Sequence, residues 1–210
     1  MCGLGYGVRL VNRIDGLARN SLISNIVVIG LAARPSDDRT AHPATPYGSR
    51  QLPIVAGKAR SMKIIETHTA PNPRRVRIFL AEKGIEVPYE DVDLKSGPLR
   101  TPEFTARNPM QRVPVLALDA GTWISESMAI CRYFEELRPD PPLFGRGAVG
   151  RALVEMWNRR VELGRWAAIM HSFRHLHPAM ADLEVPQIAE WGQANKPKAL
   201  ENLGIINDQF

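Results

Sequence analysis

Hydrophobic and polar positions follow a regular pattern only from Met62 onward. The pattern predicts a strand, a helix, a strand, a short helix, two strands joined by a turn, and a third helix. The predicted strands cover residues 63–67, 87–94, 113–118 and 122–124. A β-α-β unit requires a parallel strand pair and a hairpin an antiparallel one, so the order predicts a small mixed sheet covered by helices.

Capping residues indicate where the three helices begin. Asn72 precedes Pro73 and Thr101 precedes Pro102. Asn and Thr are favoured N-cap residues, and proline is well tolerated in the first helical turn. By the same reasoning Ser125 is predicted to cap the third helix.

The pattern changes to helix alone after a proline-rich stretch at 139–147. A broad apolar stripe predicts one helix over 148–171, and a second is predicted from about residue 186 to the end, interrupted near Pro197. The prediction is therefore a mixed domain over 62–138, a linker over 139–147, and a helical domain over 148–210.

Residues 1–61 differ from the rest in composition and charge. They contain eight Lys/Arg and three Asp/Glu, whereas residues 62–210 contain nineteen of each. The basic pI therefore originates in this leader, and it gives no reason to expect a nucleic-acid partner. Three interpretations are open: a transit peptide, a genuine accessory segment, or sequence translated ahead of a true start at Met62. The third is favoured because a strand pattern begins directly after Met62, and the leader is expected to be largely disordered.

Two motifs carry a family resemblance. The string Asn108-Pro-Met-Gln-Arg-Val-Pro114 is followed, after a turn, by Ser125-Glu-Ser127, and the first helix begins with Pro71-Asn-Pro-Arg-Arg. These motifs, in the β-α-β-α-β-β-α order, resemble the glutathione S-transferase family over residues 62–210. The resemblance implies an α/β thioredoxin-like domain followed by a partial all-α domain, because the sequence after the linker is short for the helical domain of this family.

The resemblance also implies how glutathione, the co-substrate, is held. A cis bond between Val113 and Pro114 would let the Val113 backbone pair with the cysteinyl unit, as at a strand edge. Glu126 would meet the ammonium group of the γ-glutamyl unit. Ser127, at a helix N-terminus, would meet its carboxylate, although both residues are also ordinary first-turn residues. One of two residues just before the strand is expected to meet the other carboxylate: Gln111 or Arg112.

The residue that favours the glutathione thiolate is harder to assign. Many family members use Tyr, Ser or Cys after the first strand, but Ala70 stands where serine-type members carry their hydroxyl. Asn72 resembles the Pro-Asn pattern of a subset in which Asn contacts the thiol, and Thr69 is the alternative donor. An amide at a helix start, with Arg74 and Arg75 in the first turn, would lower a thiol pKa. A role for Asn72 as a cap alone stays open.

The implied function is a cytosolic, dimeric glutathione S-transferase whose bound thiolate attacks an electrophilic or disulfide substrate. Two alternatives remain: a non-catalytic glutathione-binding or protein-interaction module of the same fold, and an inactive truncated product. No apolar stretch approaches the roughly 18 residues that a membrane span requires, so no membrane partner is expected. Cys131 is interpreted as a packed thiol. Three histidines lack a fourth ligand and are interpreted as surface residues instead of a metal site: His171, His175 and His177.

Overall fold

The computed structural model of the protein describes residues 62–94 and 97–209. The predicted leader over 1–61 lies outside the described residues. The described part of the chain divides into two compact units, residues 62–141 and residues 142–209.

The first unit contains a four-stranded mixed sheet. Its strands are β1 (Lys63–Glu66), β2 (Tyr89–Asp91), β3 (Val115–Ala117) and β4 (Trp123–Ser125), in the spatial order β2-β1-β3-β4. β1 pairs with β2 in parallel, whereas the β1–β3 and β3–β4 pairs are antiparallel. The predicted thioredoxin-like order and its mixed sheet are confirmed, although all four strands differ by one or more residues from the predicted bounds.

Three helices accompany this sheet: α1 (Pro71–Lys83), α2 (Pro102–Arg107) and α3 (Ser127–Leu137). Ile65 and Val115 are opposite each other in the register and form a buried cluster with Phe104 of α2. Their neighbours Ile64 and Leu116 are also fully buried, and alternation along a strand places them on the opposite sheet face. α3 contacts β3, β4 and α1. Helices therefore cover both faces of the sheet.

The predicted caps are right in one case and wrong in two. Thr101 is the N-cap of α2, and its hydroxyl oxygen accepts a hydrogen bond from the backbone N–H of Phe104 at 3.2 Å. Asn72 lies inside α1, whose N-cap is Ala70, because Pro71 with its fixed φ already occupies the first helical position. Ser125 is the last residue of β4, and Glu126 is the N-cap of α3.

The second unit is helical. α4 (Gly147–Arg159), a π-helical segment (Arg160–Trp166) and α5 (Ala167–Leu176) form one continuous run, which confirms the helix predicted over 148–171. α6 (Ala189–Asn207) packs against α5 and the π-helical segment. No helix in residues 62–94 and 97–209 is both long and apolar enough to cross a membrane.

The predicted interruption of the last helix is wrong. α6 continues through Pro197, although proline removes the N–H that would bond to the Gln193 carbonyl. Gly192 packs so closely that a Cβ there would meet the Leu176 side chain at 2.6 Å. An interior proline costs a helix about 3 kcal/mol, and α6 continues through Pro197 while it packs against α5.

Candidate functional site

Three chain segments meet at one end of the sheet. Ile65 of β1 lies opposite Val115 of β3, and Val115 lies opposite Ser125 of β4. Because both pairs are antiparallel, the residues that follow β1, precede β3 and follow β4 emerge at the same edge. The predicted site residues occupy these segments: Thr69 and Asn72 after β1, Gln111, Arg112, Val113 and Pro114 before β3, and Glu126 and Ser127 after β4.

The segment before β3 presents a backbone edge. The peptide bond between Val113 and Pro114 is cis. Val113 is half-buried and Pro114 is buried. Val113 lies two residues before Val115, where the ladder of β3 begins. Its N–H and C=O groups therefore lie beyond the paired part of the strand, where an extended ligand can pair with them.

A buried asparagine shapes the loop that leads to this edge. Asn108 is almost completely buried, and its side-chain amide donates to the Arg112 carbonyl at 2.7 Å. Its side-chain oxygen accepts from the Met110 N–H at 3.1 Å. The Gln111 side chain donates to the Thr105 hydroxyl at 3.1 Å, and Arg112 is exposed. Asn108 was missed as a positioning residue, and the Asn-Pro turn signal at 108–109 was the feature that marks it.

Two residues of the site adopt a backbone conformation that is uncommon for side-chain-bearing residues. Gln111 has φ 54° and Glu126 has φ 67°, and within residues 62–94 and 97–209 these are the non-glycine residues with positive φ. Such conformations cost of order 1–3 kcal/mol and concentrate at binding sites. Both lie in segments that the sequence motifs single out, which supports a functional origin of the strain.

The N-terminus of α3 is open to an anion. Its N-cap, Glu126, makes no side-chain capping bond and is exposed to solvent. The first N–H groups of any helix have no intrahelical acceptor and carry the positive end of the helix dipole. Ser127, the first residue of α3, adds a hydroxyl group to this site. The arrangement offers hydrogen-bond donors to a carboxylate and a carboxylate to an ammonium group.

Arg75, a residue of α1, extends its side chain to the N-terminus of α3. Its side chain is only 7% exposed, and its Nη1 donates to the Ser127 Oγ at 2.9 Å. We expected Arg75 to act with Arg74 on a thiol at the start of α1. Arg75 instead contacts α3, because α1 and α3 pack against each other.

Cys131, one turn further along α3, is a buried free thiol, as predicted. Burial raises its pKa to about 12, although the nearby Arg75 charge acts in the opposite direction. The thiol is therefore protonated at neutral pH and is shielded from solvent, so Cys131 is unsuited to act as a nucleophile.

The start of α1 is the third part of the site. Thr69 is exposed in the turn before the helix, and Asn72 is half-buried in the first helical turn. Pro71 and Pro73 have no N–H, and the Arg74 N–H donates to the Ala70 carbonyl, so the Asn72 N–H is the main-chain donor left in the first turn of α1. This N–H, the Asn72 amide and the Thr69 hydroxyl are the donors available to a thiolate at this position.

A buried ion pair holds the turn that leads into α1. Glu66, at the end of β1, is 3% exposed and pairs with the Arg77 guanidinium. Arg77 also donates to the His68 carbonyl at 2.7 Å, and the His68 N–H donates to the Asp91 carboxylate at 3.0 Å. The backbone of the turn is thus anchored on both sides. This network was not predicted, because its partners are distant in sequence.

Comparisons with known proteins show which proteins this chain is similar to. The family model described as "Glutathione S-transferase, N-terminal domain" matches residues 69–137. Glutathione S-transferase 2 of Saccharomyces cerevisiae is 37% identical over 147 residues, which is 69% of this chain and 63% of the yeast protein. Maleylacetoacetate isomerase of Mus musculus is 44% identical over 84 residues, or 39% of this chain and 38% of the mouse protein.

A solved structure extends the likeness beyond the mixed sheet. A glutathione S-transferase domain-containing protein from Marinobacter aquaeolei VT8 is 40% identical, with a TM-score of 0.66. The match covers 70% of this chain and 73% of that chain. The chain therefore spans less than two thirds of the yeast and mouse relatives' length but more than two thirds of this structural relative.

Proposed function

Because this chain belongs to the glutathione S-transferase family, we propose that it binds glutathione at the sheet end and uses the thiol in a transferase reaction. The observation that carries the proposal is the convergence of three different kinds of group at one edge. They are the backbone edge at Val113, the helix N-terminus at Ser127 and the uncapped start of α1. Glutathione is a short peptide with a backbone, a γ-glutamyl carboxylate and a thiol, and each of these parts requires one of the three groups.

In this proposal, the peptide backbone of glutathione lies along the backbone edge at Val113. The cysteinyl N–H and C=O pair with the backbone of Val113, as in β-strand addition. The γ-glutamyl carboxylate accepts from the Ser127 hydroxyl and the first N–H groups of α3, and its ammonium group meets the exposed Glu126 carboxylate. For the glycyl carboxylate, Arg112 is the better candidate, because the Gln111 amide already donates to Thr105.

With the peptide in this position, the cysteinyl thiol points toward the start of α1. The Asn72 amide, or the Thr69 hydroxyl as the alternative, donates to the sulfur, and the dipole of α1 favours the thiolate. The thiolate then attacks an electrophilic carbon and displaces a leaving group with its electron pair. With a disulfide substrate, the thiolate attacks one sulfur and the other leaves as a thiolate. A homodimeric state and a cytosolic location are part of the same proposal.

Binding of glutathione by the purified full chain tests the first half of the proposal. Isothermal titration should give saturable one-site binding, and Glu126→Ala should weaken it about tenfold, because it removes one charge-assisted contact worth roughly 1.5 kcal/mol. Glu136→Ala is the matched control, since Glu136 is an exposed carboxylate at the other end of α3. Equal affinities of the two variants would contradict the assignment of Glu126.

Turnover separates an enzyme from a binding module of the same fold. The rate of thioether formation with a nitro-activated aryl chloride is measured at saturating glutathione. Asn72→Ala should lower kcat with little change in the glutathione Kd, whereas Thr69→Ala should have this effect if Thr69 is the donor. Binding without any thioether formation would favour the non-catalytic alternative, and a folded chain that fails to bind would refute the proposal.

A further inference from the structure

Arg75 is a buried cation that the proposed contacts with glutathione do not use. We propose that Arg75 is a positioning residue for the anion end of the glutathione site. It holds the Ser127 hydroxyl as a donor toward the γ-glutamyl carboxylate and adds positive charge at the first turn of α3. This inference rests on the proposed function.

The direction of one hydrogen bond carries the argument. A guanidinium group has N–H donors and no acceptor, so in its 2.9 Å contact with Arg75 the Ser127 oxygen must accept. A serine hydroxyl has one proton and two lone pairs. Because Arg75 occupies a lone pair, the proton stays available for another partner. The hydroxyl is thereby prepared to donate to an anion.

Burial strengthens the effect of the Arg75 charge. Arg75 and Ser127 are 7% and 5% exposed, so little water screens the guanidinium from the start of α3. Burial raises the pKa of Cys131, and the Arg75 charge is the foremost influence in the opposite direction. The charge thus acts at the same helix end as the dipole, and both favour a carboxylate there.

A purely structural role makes a different prediction. If Arg75 only joined α1 to α3, its loss would weaken the binding of every ligand of the site alike. A positioning role weakens the binding of ligands that carry the γ-glutamyl carboxylate and affects others little. The ratio of the two affinities therefore distinguishes the roles, whatever the variant does to overall stability.

The experiment compares two ligands on the full chain by isothermal titration. The probes are glutathione and its analogue in which the γ-glutamyl α-carboxylate is a carboxamide. Arg75→Met should weaken glutathione binding about ten- to hundredfold, the range of one hydrogen bond to a charged group, and weaken the analogue less than about threefold. Arg75→Lys should recover part of the selective loss, because it keeps the charge.

Two further variants complete the design. Arg100→Met removes an exposed arginine of the same unit and should leave both affinities unchanged. Arg75→Met combined with Ser127→Ala should weaken glutathione binding by less than the product of the single effects, because both changes remove the same prepared donor. Circular dichroism establishes that each variant is folded, and Arg75→Lys carries the comparison if Arg75→Met is not.

Three results would overturn the inference: equal fold-losses for both ligands, unchanged glutathione affinity in Arg75→Met, or independent effects of the Arg75 and Ser127 changes. Failure of the proposed function looks different. In that case the unaltered chain does not bind glutathione at all, and no variant comparison arises.

Discussion

Among the polar contacts of the first unit, we expect those of the Lys83 ammonium group to contribute most to the free energy of unfolding. The Lys83 side chain is 0% exposed, and its Nζ pairs with the Glu135 carboxylate at 2.5 Å. The same atom donates to the carbonyls of Arg138 and Pro141. The contacts join the end of α1 to the end of α3 and to the chain that follows it. The ammonium group thus combines an ion pair with two hydrogen bonds to backbone carbonyls.

Lys83→Met keeps the length of the side chain but removes the charge. The Glu135 carboxylate, 11% exposed, is then left without its ammonium partner. Loss of one partner of a buried ion pair costs about 3–5 kcal/mol. We therefore expect the free energy of unfolding to fall by about that amount, with the denaturant midpoint falling in proportion.

Urea unfolding of the full chain measures this loss, and the chain contains its own control. Lys63 also pairs with a carboxylate, Glu90, at 2.5 Å, but the two side chains are 45% and 44% exposed. Lys63→Met should cost less than about 1 kcal/mol, because water screens an exposed pair. Combining Lys83→Met with Glu135→Leu should restore part of the loss, since the carboxylate that faced the ammonium group is then removed as well. Equal losses in Lys83→Met and Lys63→Met would refute the reasoning.

Two other predictions concern a thiol and a tight turn. In a Cys2→Ser background, the pKa of about 12 and the burial of Cys131 should keep it unreactive toward a disulfide reagent at pH 8 until denaturant is added. Because burial raises the folded pKa above the ordinary thiol value of 9.0, stability should fall as pH rises from 9 toward 12. Cys131→Ala should reduce that slope, and an unchanged slope would contradict the assignment. Gly145→Ala should destabilise the second unit by more than Gly121→Ala does the first in thermal melts. Both glycines have positive φ, but only at Gly145 would a Cβ meet backbone, 2.5 Å from the Gly150 carbonyl oxygen. Equal shifts in melting temperature for the two variants would indicate that the positive φ, and not the close contact at Gly145, determines the loss of stability.

Local chemistry explains which parts of the fold were predictable. Thr101 caps α2 by accepting a hydrogen bond from Phe104, three residues further along the chain. Contacts between residues so close in sequence can be predicted from local sequence motifs. The mixed character of the sheet also followed from the sequence, because the parallel pair requires an intervening helix and the hairpin requires a short turn. Asn72 was misassigned as a cap because two prolines, Pro71 and Pro73, both suit a first helical turn.

Contacts between distant residues explain what was missed. Arg75 and Ser127 are 52 residues apart, and nothing in the spacing of α1 indicates which of its arginines will face α3. Helix propensity disfavours Pro197 and therefore predicted an interruption, yet α6, which packs against α5, continues through it. The positive φ of Glu126 could not be predicted from the sequence, because glutamate, unlike glycine, does not favour a left-handed backbone conformation.

The proposed site relies more on backbone than on side chains for binding. The Val113 edge, the N–H groups of α3 and the start of α1 are all main-chain features, and they depend on the fold more than on residue identity. Ala70, where serine-type family members carry a hydroxyl, therefore affects a single step, the stabilisation of the thiolate. Substitutions at the start of α1 should accordingly alter kcat while leaving glutathione affinity almost unchanged. Substitutions at Ser127, or at Arg75 that supports it, should alter the affinity first. In the proposed site, binding and thiol activation are therefore separable, because they depend on different groups of the same ligand, the γ-glutamyl unit and the cysteinyl thiol.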